Sequence, residues 1–328
     1  MNLPRFARAL LASVGFFLLL QPVPAWAEVR VGVSDWPGWV AWYIAQEKGF
    51  FKKHGADVRL VWFANYTDSI NALSAGRLDA NSQTWSDTMA PLAKGRPLKV
   101  ILVNDNSAGN DALMVGPKIK SFRDLRGKRI ALEKYSVSHF LLTLALSRNG
   151  MTLRDVQVVN LTAGNAAAAF MAGRVDAAVV WNPWINTIQA SGKGRPLFTS
   201  ADVPGLIPDL LVAQEKSLQA NRSDFVGMIR AWYDVVAFLR SNPDEATRIM
   251  SKVVGMDAKD YKVFLSGTQF FDQNANLRAF GPATDRMSLL GVAPTISTFL
   301  RDNKLMEGRV DFVRALDASL VREVAGTK

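Results

Sequence analysis

Short apolar runs alternate with longer amphipathic segments along most of this chain. In chain order, the pattern predicts a strand over 29–33, a helix over 40–51, a strand over 57–63, a helix over 66–75, and strands over 98–103 and 112–115. The same order restarts with a strand over 129–132, a helix over 138–149, a strand over 156–160, a helix over 165–172 and a strand over 177–180. This alternation is typical of an α/β fold.

A short internal repeat supports two related halves. ALSAGRLDA at 72–80 matches AFMAGRVDA at 169–177. In each copy a predicted helix ends at glycine, which readily adopts the left-handed conformation of a helix end, and an aspartate and a strand follow. The repeat and the matching order of elements predict that the chain contains the same structural unit twice.

The second half is expected to form a lobe inserted into the first. A further apolar run covers 210–213, and the chain is mostly helical from Ser223 onward. This change predicts a first lobe over 28–115 and 206–328 and a second lobe over 116–205. Two crossings, near 111–117 and 208–214, would then form a two-strand hinge. Such a hinge allows two lobes to close around a ligand.

The first 27 residues have the composition of an export signal. Arg5 and Arg8 precede an apolar run over 9–20, and the small-residue triplet Ala25, Trp26, Ala27 follows. The run is too short to span a bilayer. Cleavage after Ala27 is therefore expected, with a mature protein in the periplasm.

Composition excludes several classes of function. The chain has 328 residues, 49% of them apolar, and no cysteine, which rules out disulfides, cysteine zinc sites and thiol nucleophiles. With two histidines and no phosphate-loop, Gly-x-Ser-x-Gly or His-Glu-x-x-His motif, we expect neither a metal, a cofactor nor an enzyme. The net charge of +10 is spread along the chain, so a nucleic-acid partner is not expected.

The candidate chemistry lies just after the predicted strands. In open α/β sheets, ligands bind beyond the carboxyl ends of the strands. Acidic and tryptophan side chains dominate those positions, although the chain is basic overall. Indole faces attract cations, and carboxylates accept strong hydrogen bonds from N–H groups. The predicted ligand-binding residues are Asp35, Trp36, Trp85, Asp87, Asp105 and Asp111 from the first half, with Ser136, Trp181, Asn182 and Trp184 from the second. They predict a cage for a small cation or a flat N–H-rich solute.

Each of these residues also has a structural interpretation. Asp35 or Asp87 could cap the following helix, and Asp105 and Asp111 could satisfy turn amides. Ser136 could cap the helix that follows it, although free amides there could hold an anion instead. Three other tryptophans, Trp39, Trp42 and Trp62, are candidates for the core.

Four phrases resemble the periplasmic solute-binding proteins of nitrate, sulfonate and taurine ABC importers. They are SDWPGWVAWYIAQEKGFF at 34–51, NALSAGRLDA at 71–80, DLRGKRIALEKYSVSHFLL at 124–142 and AFMAGRVDAAVVWNPW at 169–184. The resemblance implies a two-lobe, type II periplasmic-binding fold with a mixed sheet in each lobe. It also implies a monomer that closes on one small solute and delivers it to an inner-membrane permease and its ATPase.

The phrase DWPGW at 35–39 and the loop NDNSAGND at 104–111 look more like a subgroup associated with urea or guanidine degradation. That resemblance favours guanidinium or a related amidine, amide or amine as the ligand. The alternatives are a sulfonate, taurine or nitrate anion and a pyrimidine precursor. An enzyme or a sensor subunit of the same fold is a less favoured interpretation.

Overall fold

The computed structural model describes residues 28–285 and 287–326, so the expected export signal lies outside the described residues. The strands are β1 (Val29–Val33), β2 (Val58–Trp62), β3 (Ala80–Thr84), β4 (Leu98–Ser107), β5 (Asp111–Val115), β6 (Arg129–Leu132), β7 (Gln157–Asn160), β8 (Ala177–Trp181), β9 (Arg195–Thr199), β10 (Pro208–Gln214) and β11 (Thr268–Phe270). The helices up to β9 are α1 (Pro37–Val40), α2 (Trp42–Glu47), α3 (Phe50–Lys53), α4 (Tyr66–Ser74), α5 (Trp85–Ala93), α6 (Val137–Arg148), α7 (Ala163–Met171) and α8 (Trp184–Ala190). Those after β10 are α9 (Glu215–Ala220), α10 (Arg222–Ser241), α11 (Pro243–Val254), α12 (Ala258–Lys262), α13 (Gln273–Ala279), α14 (Leu289–Asp302), α15 (Phe312–Ala315) and α16 (Ser319–Ala325).

The strands form two mixed sheets. The first has the order β11-β4-β10-β3-β1-β2 and the second the order β7-β6-β8-β5-β9. In each sheet three consecutive strands are parallel, and the next strand, β10 or β5, is antiparallel to them. Helices flank both sheets, so the predicted α/β architecture is confirmed. We call each sheet with its helices the first or the second lobe.

The internal repeat occupies the same position in both lobes. The order β2-β1-β3-β10 matches β7-β6-β8-β5. In the first lobe the Asp79 carboxylate accepts a hydrogen bond from the backbone N–H of Arg30 at 3.0 Å. Its counterpart Asp176 accepts one from the backbone N–H of Arg129 at 2.9 Å. The repeated aspartate therefore ties the start of one strand to its parallel neighbour in each half.

The chain crosses between the lobes at 108–110 and at 200–207. β5 pairs only with strands of the second sheet, and β10 only with strands of the first. The predicted crossings at 111–117 and 208–214, and the lobe boundary after Val115, are therefore placed too late. Hydrophobic periodicity identifies a strand but not the sheet that it joins. The two crossings contact each other, because the Ser200 hydroxyl accepts a hydrogen bond from the Gly109 N–H at 2.7 Å.

Local structure differs from the prediction in two places that matter for the site. The helix predicted over 40–51 is divided into α1, α2 and α3, with Gly49 in the left-handed conformation at φ 69° before α3. β4 extends through Ser107, because β10 and β11 pair with it on both sides. Trp42 is fully buried against Trp232, which confirms its core role, whereas Trp62 on edge strand β2 is 39% exposed and the core prediction for it is wrong.

The C-terminal helices complete the first lobe. α10 packs against α2 and α3, and α14 packs against α5. Across the described ranges, no helix combines the length and the apolar character that a membrane span requires.

Candidate functional site

The two lobes enclose a small cavity at the edge where β1, β3 and β8 end. Its free volume, measured as the space open to the centre of a water molecule, is about 10 Å³. The residues that line this central cavity are Trp36, Trp39, Tyr66, Thr84, Asp111, Val137, Trp181, Ile207 and Asp209. Four are aromatic, two are acidic and none is lysine or arginine. The central cavity therefore combines ring faces with carboxyl groups.

The aromatic side chains form a continuous wall. The ring centroids of Trp36 and Trp39 lie 6.3 Å apart, those of Trp39 and Tyr66 4.9 Å, and those of Tyr66 and Trp181 5.8 Å. Trp36 precedes α1, which begins at a proline, and its indole Nε1 donates a hydrogen bond to Asp105 Oδ1 at 3.0 Å. All four rings are buried, so they present fixed faces to the central cavity.

The two acids stand where the lobes meet. Asp111 begins β5 opposite Trp181 of β8. Asp209 lies near the start of β10, opposite Thr84 of β3 and Asp105 of β4. The Oδ2 atoms of both acids are buried and accept no hydrogen bond from an N–H or hydroxyl group of the described residues. Asp111 Oδ2 thus lacks a donor, whereas Asp209 shares a hydrogen bond with the Asp105 carboxyl.

Burial raises the pKa values of these acids. It raises the pKa of Asp111 to about 7, while a hydrogen bond from Ser107 acts in the opposite direction. Burial also raises the pKa of Asp209 well above its usual value, and the charge of Asp105 adds to the effect. A hydrogen bond between these last two carboxyls lowers the pKa of Asp105 and raises that of Asp209. A nearby cation would favour the ionised forms.

Buried acids are not balanced by buried bases. The buried residues in the described part of the chain include Asp87, Asp105, Asp111, Glu133 and Asp209 but no lysine or arginine. An uncompensated buried carboxylate is unfavourable. Within the same residues, no group of three or more His, Asp or Glu side chains is arranged to hold a metal ion. The surroundings of the central cavity are thus acidic, without a resident counter-charge.

Asp105 supports the central cavity without lining it. Its Oδ1 holds the Trp36 indole, and its Oδ2 lies against the backbone of Gly38. The sequence alternative of a turn residue is wrong for Asp105, since it belongs to the extended strand β4. Asp105 therefore acts as a positioning residue for Trp36.

We expect Gly38→Ala to destabilise the protein. An alanine Cβ at this position would lie 1.8 Å from Asp105 Oδ2, so the Asp105–Trp36 hydrogen bond must move. Overpacking of this kind costs about 1–3 kcal/mol, which calorimetric unfolding would measure. Gly116→Ala is the control, because its Cβ would meet no atom closer than 3.9 Å. Equal stability of the two variants would contradict the packing argument.

The carboxylate of Asp87, which belongs to α5, and the hydroxyl of Ser136 both contact backbone amides at the start of α6. The Asp87 Oδ2 accepts hydrogen bonds from the Val137 N–H at 3.0 Å and from the Tyr66 hydroxyl at 2.9 Å. The Ser136 hydroxyl accepts from the Ser138 N–H at 3.2 Å. Burial nevertheless raises the pKa of Asp87 to about 6. Ser136 therefore caps the helix, as one of its two sequence interpretations proposed, and an internal carboxylate from the first lobe uses a helix amide that the alternative offered to an anion. Neither residue lines the central cavity.

Asp35 joins the lobes instead of lining the central cavity. Its Oδ1 accepts from Trp181 Nε1 at 2.9 Å, and its Oδ2 accepts from Trp184 Nε1 at 2.8 Å. Burial raises the pKa of Asp35 to about 6 despite these two donors. Glu133 makes a second connection, since its Oε1 accepts from both the backbone N–H and the hydroxyl of Thr67. Trp184 thus serves lobe contact, whereas Trp181 serves both contact and the central cavity.

Two other predicted ligand residues lie outside the central cavity. Trp85 is fully buried, donates to the Leu289 carbonyl at 3.4 Å and packs against Phe312. Asn182 donates from Nδ2 to Asn110 Oδ1 at 2.9 Å beside the first crossing. Of the ten predicted residues, Trp36, Asp111 and Trp181 line the central cavity. Trp85 and Asn182 lie outside the central cavity because a residue that follows a strand can instead face a packed helix or the hinge.

Sequence reasoning missed Asp209, and Trp39 and Tyr66 were not chosen as ligand residues. Asp209 is the second residue of β10, and because β10 is antiparallel, the amino end of this strand lies at the same edge as the carboxyl ends of the parallel strands. A rule restricted to carboxyl ends cannot find it. An acidic residue at the start of the apolar run over 210–213 is the signal that could have indicated it.

Two relatives illustrate the similarity of this chain to known proteins. A Brucella abortus protein named as a binding protein is 32% identical over 234 residues, which cover 70% of this chain and 72% of that protein. An Escherichia coli protein named as an aliphatic sulfonates-binding protein is 26% identical over 261 residues, covering 78% of this chain and 81% of that protein.

A solved structure shares the fold. The periplasmic aliphatic sulphonate binding protein SsuA from Escherichia coli aligns with a TM-score of 0.71 and 22% identity, covering 88% of this chain and 91% of SsuA. The family model described as NMT1/THI5 like matches residues 36–246, a range that includes every residue lining the central cavity. The chain therefore belongs to the NMT1/THI5-like family.

Proposed function

We propose that the protein is a periplasmic solute-binding protein that closes on a small cationic or N–H-rich nitrogen compound, of which guanidinium is the best representative. One observation carries the proposal. The buried Oδ2 atom of Asp111 accepts no hydrogen bond from the described residues, and it lies with a second acid, Asp209, in a cavity that has four aromatic residues and no basic one. A ligand with several N–H groups and a positive charge supplies a donor to Asp111 and a counter-charge to both acids.

The proposed contacts together give a moderate gross binding energy. A cation over a desolvated aromatic ring gains about 2 kcal/mol, and each hydrogen bond to a charged group contributes about 1.5–3 kcal/mol. Two rings and two acids thus contribute about 7–10 kcal/mol before an association cost of about 4 kcal/mol or more is subtracted. The enclosed space holds about one water molecule, so binding of guanidinium requires the lobes to separate from this arrangement.

The proposed setting is import rather than catalysis. The similarity to an aliphatic sulfonates-binding protein and to periplasmic SsuA, together with the signal-like residues 1–27, supports a periplasmic receptor. It would deliver its ligand to an ABC permease and its ATPase, as a monomer that presents both lobes. The central cavity offers ring faces, carboxyls and two hydroxyls but no paired nucleophile and base.

A sulfonate is the second candidate ligand, favoured by the name of the Escherichia coli relative. Anions often bind at helix N-termini. Here the Val137 amide of α6 already donates to Asp87, and two further carboxyls line the central cavity. An anion would have to displace the Asp87 carboxylate from the Val137 amide and would also lie close to the carboxyls of Asp111 and Asp209.

A ligand screen on refolded protein 28–328 tests the proposal. Refolding removes any ligand that copurifies. Submillimolar guanidinium, methylammonium, urea, taurine, methanesulfonate and nitrate would be compared by thermal shift and calorimetry. A ligand at one hundred times its Kd stabilises the native state by about 2.7 kcal/mol, a shift of a few degrees for a chain of this size. Stabilisation by guanidinium and not by the anions is expected. Stabilisation by methanesulfonate, with no response to any cation, would reverse the proposed ligand class.

A further inference from the structure

Away from the two crossings, the hydrogen bonds that join the lobes share one chemical feature. Among the described residues, each of them ends on a carboxylate oxygen. The acceptors are Asp35 and Asp87 of the first lobe and Glu133 of the second. We call these three groups the carboxylate seam. Acids from both sides of the cleft thus hold the lobes together.

The donors to the carboxylate seam are uncharged. From across the cleft they are two indole N–H groups, two backbone amides and one hydroxyl, which belong to Trp181, Trp184, Val137 and Thr67. From within the first lobe, the Tyr66 and Ser86 hydroxyls also donate to Asp87. Within the described ranges, no lysine or arginine forms an ion pair across the cleft. Closing the lobes therefore removes three negative charges from water without supplying a counter-charge.

The acids and the tyrosine that face the carboxylate seam do not offset its charge. In addition to the effect of burial, Glu133 raises the pKa of Asp35, and the exposed Asp68 raises that of Glu133. The charge of Asp87 acts on both acids of the central cavity. The charge of Asp35 acts on the hydroxyl of Tyr261, which is fully buried and uncharged at neutral pH. Negative charge thus accumulates where the lobes meet.

Basic side chains near Asp87 do not compensate the carboxylate seam either. Lys94, His139 and Lys304 line a pocket beside Asp87, together with the acid Glu307. Both lysines are exposed, so water screens their charge. Burial lowers the pKa of His139 to about 4, which leaves its ring neutral at neutral pH. The closed cleft therefore buries carboxylates that nothing inside it balances.

Burial favours protons on the carboxylate seam. It raises the pKa of Asp35 and of Asp87 to about 6, and it also raises that of Glu133, although the hydrogen bonds act in the opposite direction. When the lobes separate, these carboxyls regain water, and their pKa values fall toward those of ordinary acids. The closed form therefore binds protons more tightly than the open form, and this stabilisation is lost as the pH rises through about 6.

We infer that proton occupancy of the carboxylate seam controls the opening of the lobes. Protons on Asp35, Asp87 and Glu133 favour the closed arrangement, and their ionisation favours the open one. A positively charged ligand replaces the protons as the counter-charge, so it draws the lobes together at neutral pH. The effect of protons on the empty protein does not depend on the solute, whereas the effect of a cation rests on the proposed function.

Fluorescence energy transfer between the lobes measures their opening. The chain has no cysteine, so Arg154→Cys and Lys252→Cys place one dye at an exposed position on each lobe. In ligand-free refolded protein 28–328, the ratio of closed to open molecules is expected to fall between pH 5 and 7.5. The fall should be about tenfold for each carboxyl whose pKa is about 6 in the closed form. Small-angle X-ray scattering of the unlabelled protein should show the matching rise in radius of gyration.

Neutral variants of the carboxylate seam test whether its charge is the cause. Asp35→Asn/Glu133→Gln should stay closed at pH 7.5 without ligand, because an amide keeps an acceptor oxygen and carries no charge. The matched control is Glu47→Gln/Asp302→Asn, which removes two exposed acids outside the seam and should open like the unmodified chain. The inference is wrong if the empty protein keeps the same lobe separation from pH 5 to 7.5. It is equally wrong if the neutral variant opens as far as the control pair.

Addition of ligand at pH 7.5 separates this inference from the proposed function. Guanidinium is expected to bring the lobes of the unmodified chain back toward each other, and methanesulfonate is not. If the empty protein opens with rising pH but closes with methanesulfonate and not with guanidinium, control by protons holds and the proposed ligand class is wrong. If guanidinium binds by calorimetry while the lobe separation stays independent of pH, the ligand class holds and control by protons is wrong.

Discussion

The substitution Asp111→Asn is expected to weaken guanidinium binding by about 10- to 100-fold. The substitution removes a hydrogen bond to a charged group, which contributes about 1.5–3 kcal/mol, and it places an amide N–H₂ among the donors of the ligand. The same change should raise the melting temperature of the unliganded protein, because a buried carboxyl whose pKa is about 7 no longer has to ionise at neutral pH. Affinity and stability would thus move in opposite directions.

Isothermal titration calorimetry and differential scanning calorimetry on the same preparation measure both effects. Asp302→Asn is the control, since Asp302 is an exposed acid at the end of α14. It should change neither affinity nor melting temperature. If Asp111→Asn bound guanidinium as tightly as the unmodified chain, the carboxyl would have no role in recognition.

Raising the pH from 5 to 7.5 is expected to lower the free energy of unfolding of the unliganded protein. Burial raises the pKa of Asp35 and Asp87 to about 6 and that of Asp105 and Asp111 to about 7. Between their unfolded value of 3.8 and these folded values, the native state binds more protons than the unfolded state. Stability therefore falls as pH rises through this window.

The expected loss in the free energy of unfolding is large for a change of 2.5 pH units. Each of these carboxyls contributes about 1–3 kcal/mol of the loss, so the melting temperature should fall by at least about 5 °C. Asp272 and Asp285, which have lowered pKa values, lose their contribution only at more acidic pH. Calorimetry in buffers of equal ionic strength would measure the profile.

Two comparisons make the pH profile informative. Asp111→Asn should show a shallower slope, because one of the titrating groups is gone. Guanidinium should bind more tightly at pH 7.5 than at pH 5 and release protons, since a cation favours ionised carboxylates. A melting temperature that stays constant or rises between pH 5 and 7.5 would show that the acids ionise without cost in the native protein.

The local sequence pattern was enough to predict those parts of the fold that depend on elements adjacent along the chain. The repeated Gly-Arg-x-Asp-Ala segments indicated two related units, and their aspartates make equivalent hydrogen bonds to Arg30 and Arg129. The alternation of strands and helices predicted the layered architecture. Membership of a sheet depends on pairing over long sequence distances, which explains why β5 was assigned to the wrong lobe.

The candidate site was predicted only in part for the same reason. Trp36, Asp111 and Trp181 follow or begin strands whose ends meet at the central cavity. Trp85 occupies a similar sequence position, but its ring turns toward Phe312. Asp209 depends on the antiparallel direction of β10, which no local pattern around residue 209 reveals.

The contact between Asp87 and the start of α6 also bears on selectivity. A carboxylate attached to the same chain has an effective concentration at its partner that is commonly in the millimolar range. A dissolved anion at micromolar concentration competes with that tethered group at a disadvantage of about a thousandfold. The protein would thus exclude anions from this helix end by prior occupancy, and neither the width of the entrance nor the shape of the solute needs to supply that discrimination.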